Sequence, residues 1–97
     1  MLHELFAVIQ SRKESPPAGS YTARLFAQGE DEILKKVGEE AIEVVLAGKA
    51  QSDRRLIEES ADLLYHLLVL LAYRDLTLAD VEAELRRRHC PSAEDGA

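Results

Sequence analysis

Two acidic clusters on either side of one turn signal constrain this chain more than any other feature of its sequence. The clusters lie in residues 38–43 and 58–62, and residues 48–53 between them are mostly small or polar. Apolar residues recur at helical spacing beside both clusters, which indicates two amphipathic helices. Helices joined by so short a connection pack as antiparallel neighbours. The sequence therefore predicts a helical hairpin that carries both clusters.

Each cluster places two carboxylates three residues apart, on one face of its helix. They are Glu40 and Glu43 in the first cluster, and Glu59 and Asp62 in the second. Measured from a turn centre near Ala50, they lie roughly 15, 10, 13 and 18 Å along their helices. Side chains at such similar heights can converge on a hard cation such as Mg²⁺, Mn²⁺ or Ca²⁺. The alternative is ordinary glutamates on solvated helix faces.

Helical signals also cover most of the remaining chain, and no segment gives a strand signal worth keeping. The predicted helices are residues 2–13, 21–27, 31–47, 53–74 and 78–89. Ser20 is the predicted N-cap of the second helix, and Thr77 with Asp80 resembles a capping box before the last. The prediction is an all-α bundle of about four to five helices. It forms one domain over residues 1–90, and a mobile C-terminal tail over 91–97 follows the stop at Cys90-Pro91.

The fourth predicted helix is apolar nearly all round over residues 63–71. Because a chain of 97 residues has few other helices to cover it, we expect a second copy to do so in a homodimer. His66 lies in this stretch, on the same stripe as Glu59 and Asp62. It either hydrogen-bonds a metal-bound carboxylate or is an ordinary, satisfied core histidine.

Composition excludes several classes of function. The formal net charge is −6, from 18 acidic and 12 basic residues, which argues against a nucleic-acid partner. The same charge repels a polyanionic substrate unless metal ions screen it. The longest apolar run is too short to span a membrane, and the N-terminal apolar run lacks a basic leading region. A cytoplasmic protein without a membrane partner is the expectation.

Three stretches together resemble the phosphoribosyl-ATP pyrophosphatases, a family within the all-α, MazG-like nucleotide pyrophosphohydrolases. They are S-Y-T at residues 20–22, K-K-V-G-E-E-A-I-E at 35–43 and E-S-A-D-L-L-Y-H at 59–66. The spaced acidic pattern is shared across the superfamily, whereas the other residues of these stretches are more specific to this branch. One departure is Glu32, where a basic residue is expected. The resemblance implies Mg²⁺-dependent hydrolysis of phosphoribosyl-ATP to phosphoribosyl-AMP and pyrophosphate in histidine biosynthesis, by a homodimer. Mn²⁺ is an expected substitute.

The resemblance also implies roles for individual residues. It matches the metal ligands to Glu40, Glu43, Glu59 and Asp62. Glu39 is the candidate for positioning the attacking water or for binding a further ion. The candidates for binding the substrate or its phosphates are Lys35, Lys36, Ser20, Tyr21, Thr22 and Arg24. Two alternatives stay open: a house-cleaning hydrolase of dUTP, dCTP or similar nucleotides, and a non-catalytic helical dimerisation module.

Overall fold

The computed structural model describes residues 1–89, and these form five α-helices and no strand. The helices are α1 (Leu2–Glu14), α2 (Tyr21–Gln28), α3 (Glu30–Ala50), α4 (Asp53–Tyr73) and α5 (Leu78–Arg88). The all-α prediction is confirmed, and each predicted boundary lies within a few residues of the observed one. The predicted stop at Cys90-Pro91 and the predicted tail lie outside the described residues.

Side-chain caps fix three of the helix starts. The Ser20 hydroxyl accepts a hydrogen bond from the Ala23 amide at 3.1 Å, so α2 begins where the sequence predicts. Ser52 caps α4 in the same way. The predicted capping box is also confirmed, because Thr77 and Asp80 exchange two hydrogen bonds of 3.1 and 2.9 Å. Such caps satisfy amide groups that have no partner inside the helix.

Gly29 joins α2 directly to α3, with no loop between the two helices. Its φ of +101° lies in a region that residues with a Cβ rarely adopt, so glycine is required for this abrupt turn. The turn brings the first residues of α2 alongside the α3–α4 hairpin, where the acidic clusters lie.

The α3–α4 hairpin is the central unit of the fold, and α1 and α2 pack against it. The hydrophobic core lies at the end of the hairpin that is far from its turn. Its members come from all five helices and are Phe6, Ile9, Leu25, Ile33, Leu68, Val69, Ala72 and Leu78. Burial of apolar side chains from every helix at one end of the hairpin holds the described residues together.

The turn half of the hairpin, residues 38–64, extends beyond this core, and we call it the arm. Ala47 is its only fully buried apolar side chain, whereas Ile42, Val45 and Ile57 are 61%, 67% and 60% exposed. Large apolar side chains in such a group mark an interaction surface more often than a solvated one. The arm is therefore an unpartnered apolar surface within the single chain.

The stretch that is apolar nearly all round, residues 63–71, is only partly covered within the single chain. Leu68 and Val69 are buried, but Leu64 and Leu67 are 48% and 38% exposed. The other described helices reach only one side of α4, as expected for so short a chain, and its covering by a second copy stays a prediction. Even so, no helix within residues 1–89 has the length and hydropathy to cross a membrane.

Candidate active site

The α3–α4 hairpin brings three carboxylates together where the arm meets the core. Glu40 comes from α3, and Glu59 and Asp62 come from α4. One oxygen from each lies within 4.8 Å of the other two. Glu59 is buried, Glu40 is half-buried and Asp62 is exposed, so the group, here called the carboxylate trio, opens to solvent on one side.

The surroundings of Glu40 in the trio disfavour the charged form of its carboxyl. Burial raises the pKa of the Glu40 carboxyl above its ordinary value, and the charge of Asp62 raises it further. A hydrogen bond with Glu59 contributes in the same direction. Carboxylates held together in this way favour a proton or a cation between them.

The donor set of the trio fits a hard divalent cation. Oxygen-only ligands suit Mg²⁺, Mn²⁺ and Ca²⁺, whose metal–oxygen distances run from about 2.0 to 2.6 Å. Ligands on opposite sides of such an ion are about 4 to 5 Å apart, and the three oxygens of the trio are no farther from one another than 4.8 Å. Exposure at Asp62 leaves room for water or substrate ligands, which Mg²⁺ retains in most sites.

Glu43, the fourth predicted ligand, is not a member of the trio. Hydrogen bonding to Glu58 raises the pKa of the Arg55 guanidinium, and the negative charge of Glu43 adds to that rise. Glu43 therefore lies close enough to Arg55 to interact with it. The difference arises because α4 presents Arg55, one turn before Glu59, toward this level of α3.

The first turn of α2 is bonded to α4 through two successive residue pairs. The Tyr21 hydroxyl lies 2.8 Å from His66 Nε2. The buried Thr22 hydroxyl bonds to the hydroxyl of Tyr65. The His66 ring also meets the Tyr21 and Tyr65 rings edge-on. These contacts fix α2 beside the carboxylate trio.

His66 occupies a defined tautomer in this network. Nδ1 lies 2.8 Å from the carbonyl oxygen of Asp62, which only accepts, so Nδ1 carries the proton and Nε2 accepts from Tyr21. Of the two roles left open for His66, the bonds present among the described residues, to a backbone carbonyl and a phenol, fit a satisfied core histidine. The reason is that the ring is buried between α2 and α4, where those two partners are within reach.

Tyr21 borders the trio directly. Burial raises the pKa of its phenol, and the nearby charge of Glu40 raises it further, so the hydroxyl stays protonated and able to donate. Arg24 lies over the Tyr21 ring, 5.8 Å from its centre, and bonds the Gly19 carbonyl at 3.3 Å. A cation from α2 is therefore present on the Tyr21 side of the site.

The remaining predicted residues lie on the surface of α3 and at the start of α2. Lys36 forms an ion pair with Glu39 at 3.9 Å, and Lys35 is exposed. Glu39 is half exposed and is not part of the trio. Ser20 uses its hydroxyl as the cap of α2. These side chains surround the trio along the chain but do not join it.

Comparison with known proteins identifies the family. The model of the phosphoribosyl-ATP pyrophosphohydrolase family matches residues 2–89. The chain belongs to this family. A phosphoribosyl-ATP pyrophosphatase of Trichlorobacter lovleyi is 60% identical over 88 residues, which are 91% of this chain and 82% of that protein. Its counterpart in Listeria welshimeri is 54% identical, with 91% and 84% covered.

A bifunctional relative is similar over part of its length. The histidine biosynthesis bifunctional protein HisIE of Pyrococcus furiosus is 57% identical over 88 residues. The match covers 91% of this chain but 41% of that protein. The family resemblance seen in the sequence motifs is confirmed.

Two contributors to the site of this phosphoribosyl-ATP pyrophosphohydrolase family member are not predicted from the sequence. Tyr65 belongs to the motif at residues 59–66 without a predicted role of its own, although its hydroxyl bonds that of Thr22. Arg55 was missed as a partner of Glu59, although the two residues are four apart on one helix, a spacing at which opposite charges pair. That spacing was the available signal. No comparable signal exists for Tyr65, because its partner lies on another helix.

Proposed function

We propose that the chain hydrolyses phosphoribosyl-ATP to phosphoribosyl-AMP and pyrophosphate, as a step of histidine biosynthesis in the cytoplasm, with Mg²⁺ as its cofactor. The observation that carries the proposal is the carboxylate trio, three convergent oxygens within 4.8 Å in a chain of the phosphoribosyl-ATP pyrophosphohydrolase family. The names of the relatives supply the substrate. An acidic protein needs a cation in order to accept a polyphosphate.

Glu40, Glu59 and Asp62 would hold the metal, and the donor chemistry of the three residues supports it. Glu43 would complete the set from the next turn of α3 after a change of rotamer that brings it away from Arg55. A bound Mg²⁺ supplies charge neutralisation for the phosphates and lowers the pKa of a bound water. Mn²⁺ has the same ligand preferences and is the expected substitute.

The surrounding residues would bind substrate and position the attacking water. Lys35, Lys36 and Arg24 carry positive charge for the phosphate oxygens. Glu39 would position the attacking water once Lys36 turns toward the phosphates. The exposure of the Lys35, Arg24 and Glu39 side chains supports these roles, since a charged side chain must be free to reorient toward a ligand.

Ser20, Tyr21 and Thr22 would shape the nucleotide side of the site through α2. The Tyr21 phenol borders the trio and already donates to His66, so its oxygen can accept a hydrogen bond from substrate, whereas Ser20 and Thr22 use their hydroxyls to start α2 and to hold it on α4. We therefore assign substrate contact to Tyr21, and positioning of α2 to Ser20 and Thr22.

The test is phosphorus NMR of the purified chain with phosphoribosyl-ATP and Mg²⁺, with EDTA and dUTP as controls. Pyrophosphate should appear only with phosphoribosyl-ATP and metal. Glu40→Gln should lose most of this turnover, whereas Glu84→Gln on α5 removes a carboxylate far along the chain and should keep it. Turnover of dUTP instead would reassign the chain to house-cleaning hydrolysis. A folded chain that turns over neither nucleotide would favour the dimerisation module.

We also propose that a second copy of the chain covers the arm in a homodimer. The exposure of Ile42, Val45 and Ile57 supports this, because each large apolar side chain gains about 1.5–3 kcal/mol on full burial. Two arms packed together would form a four-helix bundle. Sedimentation at micromolar concentration should give twice the chain mass, and Val45→Asp should give one chain mass. Val8→Asp, on the outside of α1, is the matched control. A wild-type mass of one chain would refute the dimer.

A further inference from the structure

Arg55 lies between two acidic side chains on α4 and holds one member of the carboxylate trio. One terminal nitrogen of its guanidinium is 2.5 Å from Glu58 Oε1, and the other bonds Glu59 Oε2. The Glu59 side chain is only 8% exposed, whereas that of Arg55 is 47% exposed. A buried carboxylate is thus neutralised by a cation that reaches it from solvent.

This pairing affects how Glu59 can serve as a ligand. A buried carboxylate needs a compensating positive charge, and either a guanidinium or a divalent cation can supply it. If the guanidinium and a divalent cation bound Glu59 together, three positive charges would lie around this carboxylate, within a few ångströms of each other. Charges that close repel even when partly solvated. Arg55 and a divalent cation therefore compete for the same carboxylate.

We propose that Arg55 is an internal counter-ion of the metal site, which stabilises Glu59 when no cation is bound and weakens cation binding when one arrives. Metal binding then requires the guanidinium to leave Glu59. After leaving Glu59, the guanidinium can remain bonded to Glu58, because Glu58 already bonds the other terminal nitrogen of Arg55. The exposure of Arg55 makes this movement possible without disturbing the core.

The chain provides a matched control for the charge alone. Arg54 is the neighbouring arginine and pairs with Glu58 at 3.2 Å, and its side chain is 75% exposed. No bond joins Arg54 to Glu59 among the described residues. Replacing Arg54 removes the same formal charge from the same turn of α4, but it leaves the bond between Arg55 and Glu59 intact.

The test is calorimetric titration of the full chain with Mn²⁺ at pH 7.5, which reads binding without any substrate. Arg55→Met should bind Mn²⁺ about tenfold more tightly than the wild type, a change of about 1.4 kcal/mol. Arg54→Met should stay within about twofold, because exposed charges are well screened. Affinity of Arg55→Met equal to or below that of the wild type would overturn the proposal, since Arg55 would then orient Glu59 rather than compete.

Thermal unfolding provides the second readout. In EDTA, Arg55→Met should unfold at a lower temperature than the wild type, because Glu59 loses its counter-ion. Saturating Mn²⁺ should reduce that difference. If Arg55→Met fails to fold, Arg55→Gln replaces it. Glutamine keeps a hydrogen-bond donor for Glu59 without the charge, so it should also tighten Mn²⁺ binding. Unchanged affinity in Arg55→Gln would equally overturn the proposal.

The inference rests on the proposed metal site, and the same titration separates the two. If the wild type, Arg54→Met and Arg55→Met all fail to bind Mn²⁺, the metal site and this inference fall together. If the wild type binds Mn²⁺ and the Arg55 variants bind it no more tightly, only this inference falls.

Discussion

Replacing Glu40 by glutamine should stabilise the chain in the presence of EDTA, although it removes a proposed ligand. At 4.8 Å, two unit negative charges repel by about 0.9 kcal/mol in water and about 3.5 kcal/mol at an effective dielectric of 20. Because Arg55 already neutralises Glu59, the repulsion felt by Glu40 comes mainly from Asp62. Asp62 is exposed, so screening favours the lower figure. The glutamine amide can still bond Glu59.

The expected gain is therefore roughly 1 kcal/mol in the free energy of unfolding, or about 4–8 °C in Tm for a domain of this size. It should depend on pH. The pKa of Glu40 is raised in the fold, so protonated Glu40 favours folding below the ordinary carboxyl pKa. That contribution is lost as the pH rises through the raised value. Wild type and variant should thus converge near pH 4 and separate by pH 7.

Thermal unfolding followed by circular dichroism at both pH values measures this difference. Glu39→Gln is the control, because Glu39 is the next residue and its one ion pair within residues 1–89 is with Lys36, at 3.9 Å. Its Tm should stay within about 2–4 °C of the wild type, as for most surface substitutions. A Glu40→Gln Tm below that of the wild type at pH 7.5, with Glu39→Gln unchanged, would refute the argument from repulsion.

Three further predictions concern the helices that position the site, and all are measured as shifts in Tm. Tyr65→Phe should lower the free energy of unfolding by about 1–3 kcal/mol, because the buried Thr22 hydroxyl loses its partner. Adding Thr22→Val should recover part of that loss. Fully additive effects of the two substitutions would contradict the pairing. Gly29→Ala should lower the free energy of unfolding by about 1–3 kcal/mol, because alanine is strained at the positive φ of this position. Gly38→Ala should raise it by about 1 kcal/mol, because a Cβ there meets no atom within 4 Å. Equal effects of the two substitutions would contradict the role of φ. Thr77→Ala should lose about 1 kcal/mol with its capping box, and an unchanged Tm would show that the box contributes nothing.

The sequence predicts the hairpin and all three members of the carboxylate trio, because both depend on regular geometry. Rise per residue and helical period place Glu40, Glu59 and Asp62 at one level without knowledge of any side-chain rotamer. The helix starts are equally local, since Ser20 and Thr77 bond amides only three residues away. Local patterns of this kind are readable from one chain.

The rest depends on contacts that no local pattern specifies. Glu43 lies near Arg55 because of side-chain reach across the hairpin, which periodicity does not describe. The bond between Tyr21 and His66 depends on how α2 docks after Gly29, a matter of tertiary packing. The exposure of Val45 in the arm also has no local signal, because it depends on which helices among residues 1–89 reach that side of α3.

The carboxylate trio is contributed by two helices that are consecutive in sequence, and this has a consequence for the order of folding. Only the short connection between α3 and α4 must close for Glu40 to meet Asp62, so little loop entropy is lost. Contacts of such short sequence separation form early and fast. We therefore expect the like charges to meet in the folding transition state, before α1 and α2 dock. Charge repulsion at the site would then slow folding itself, and a cation bound between the carboxylates would speed folding by reducing that repulsion.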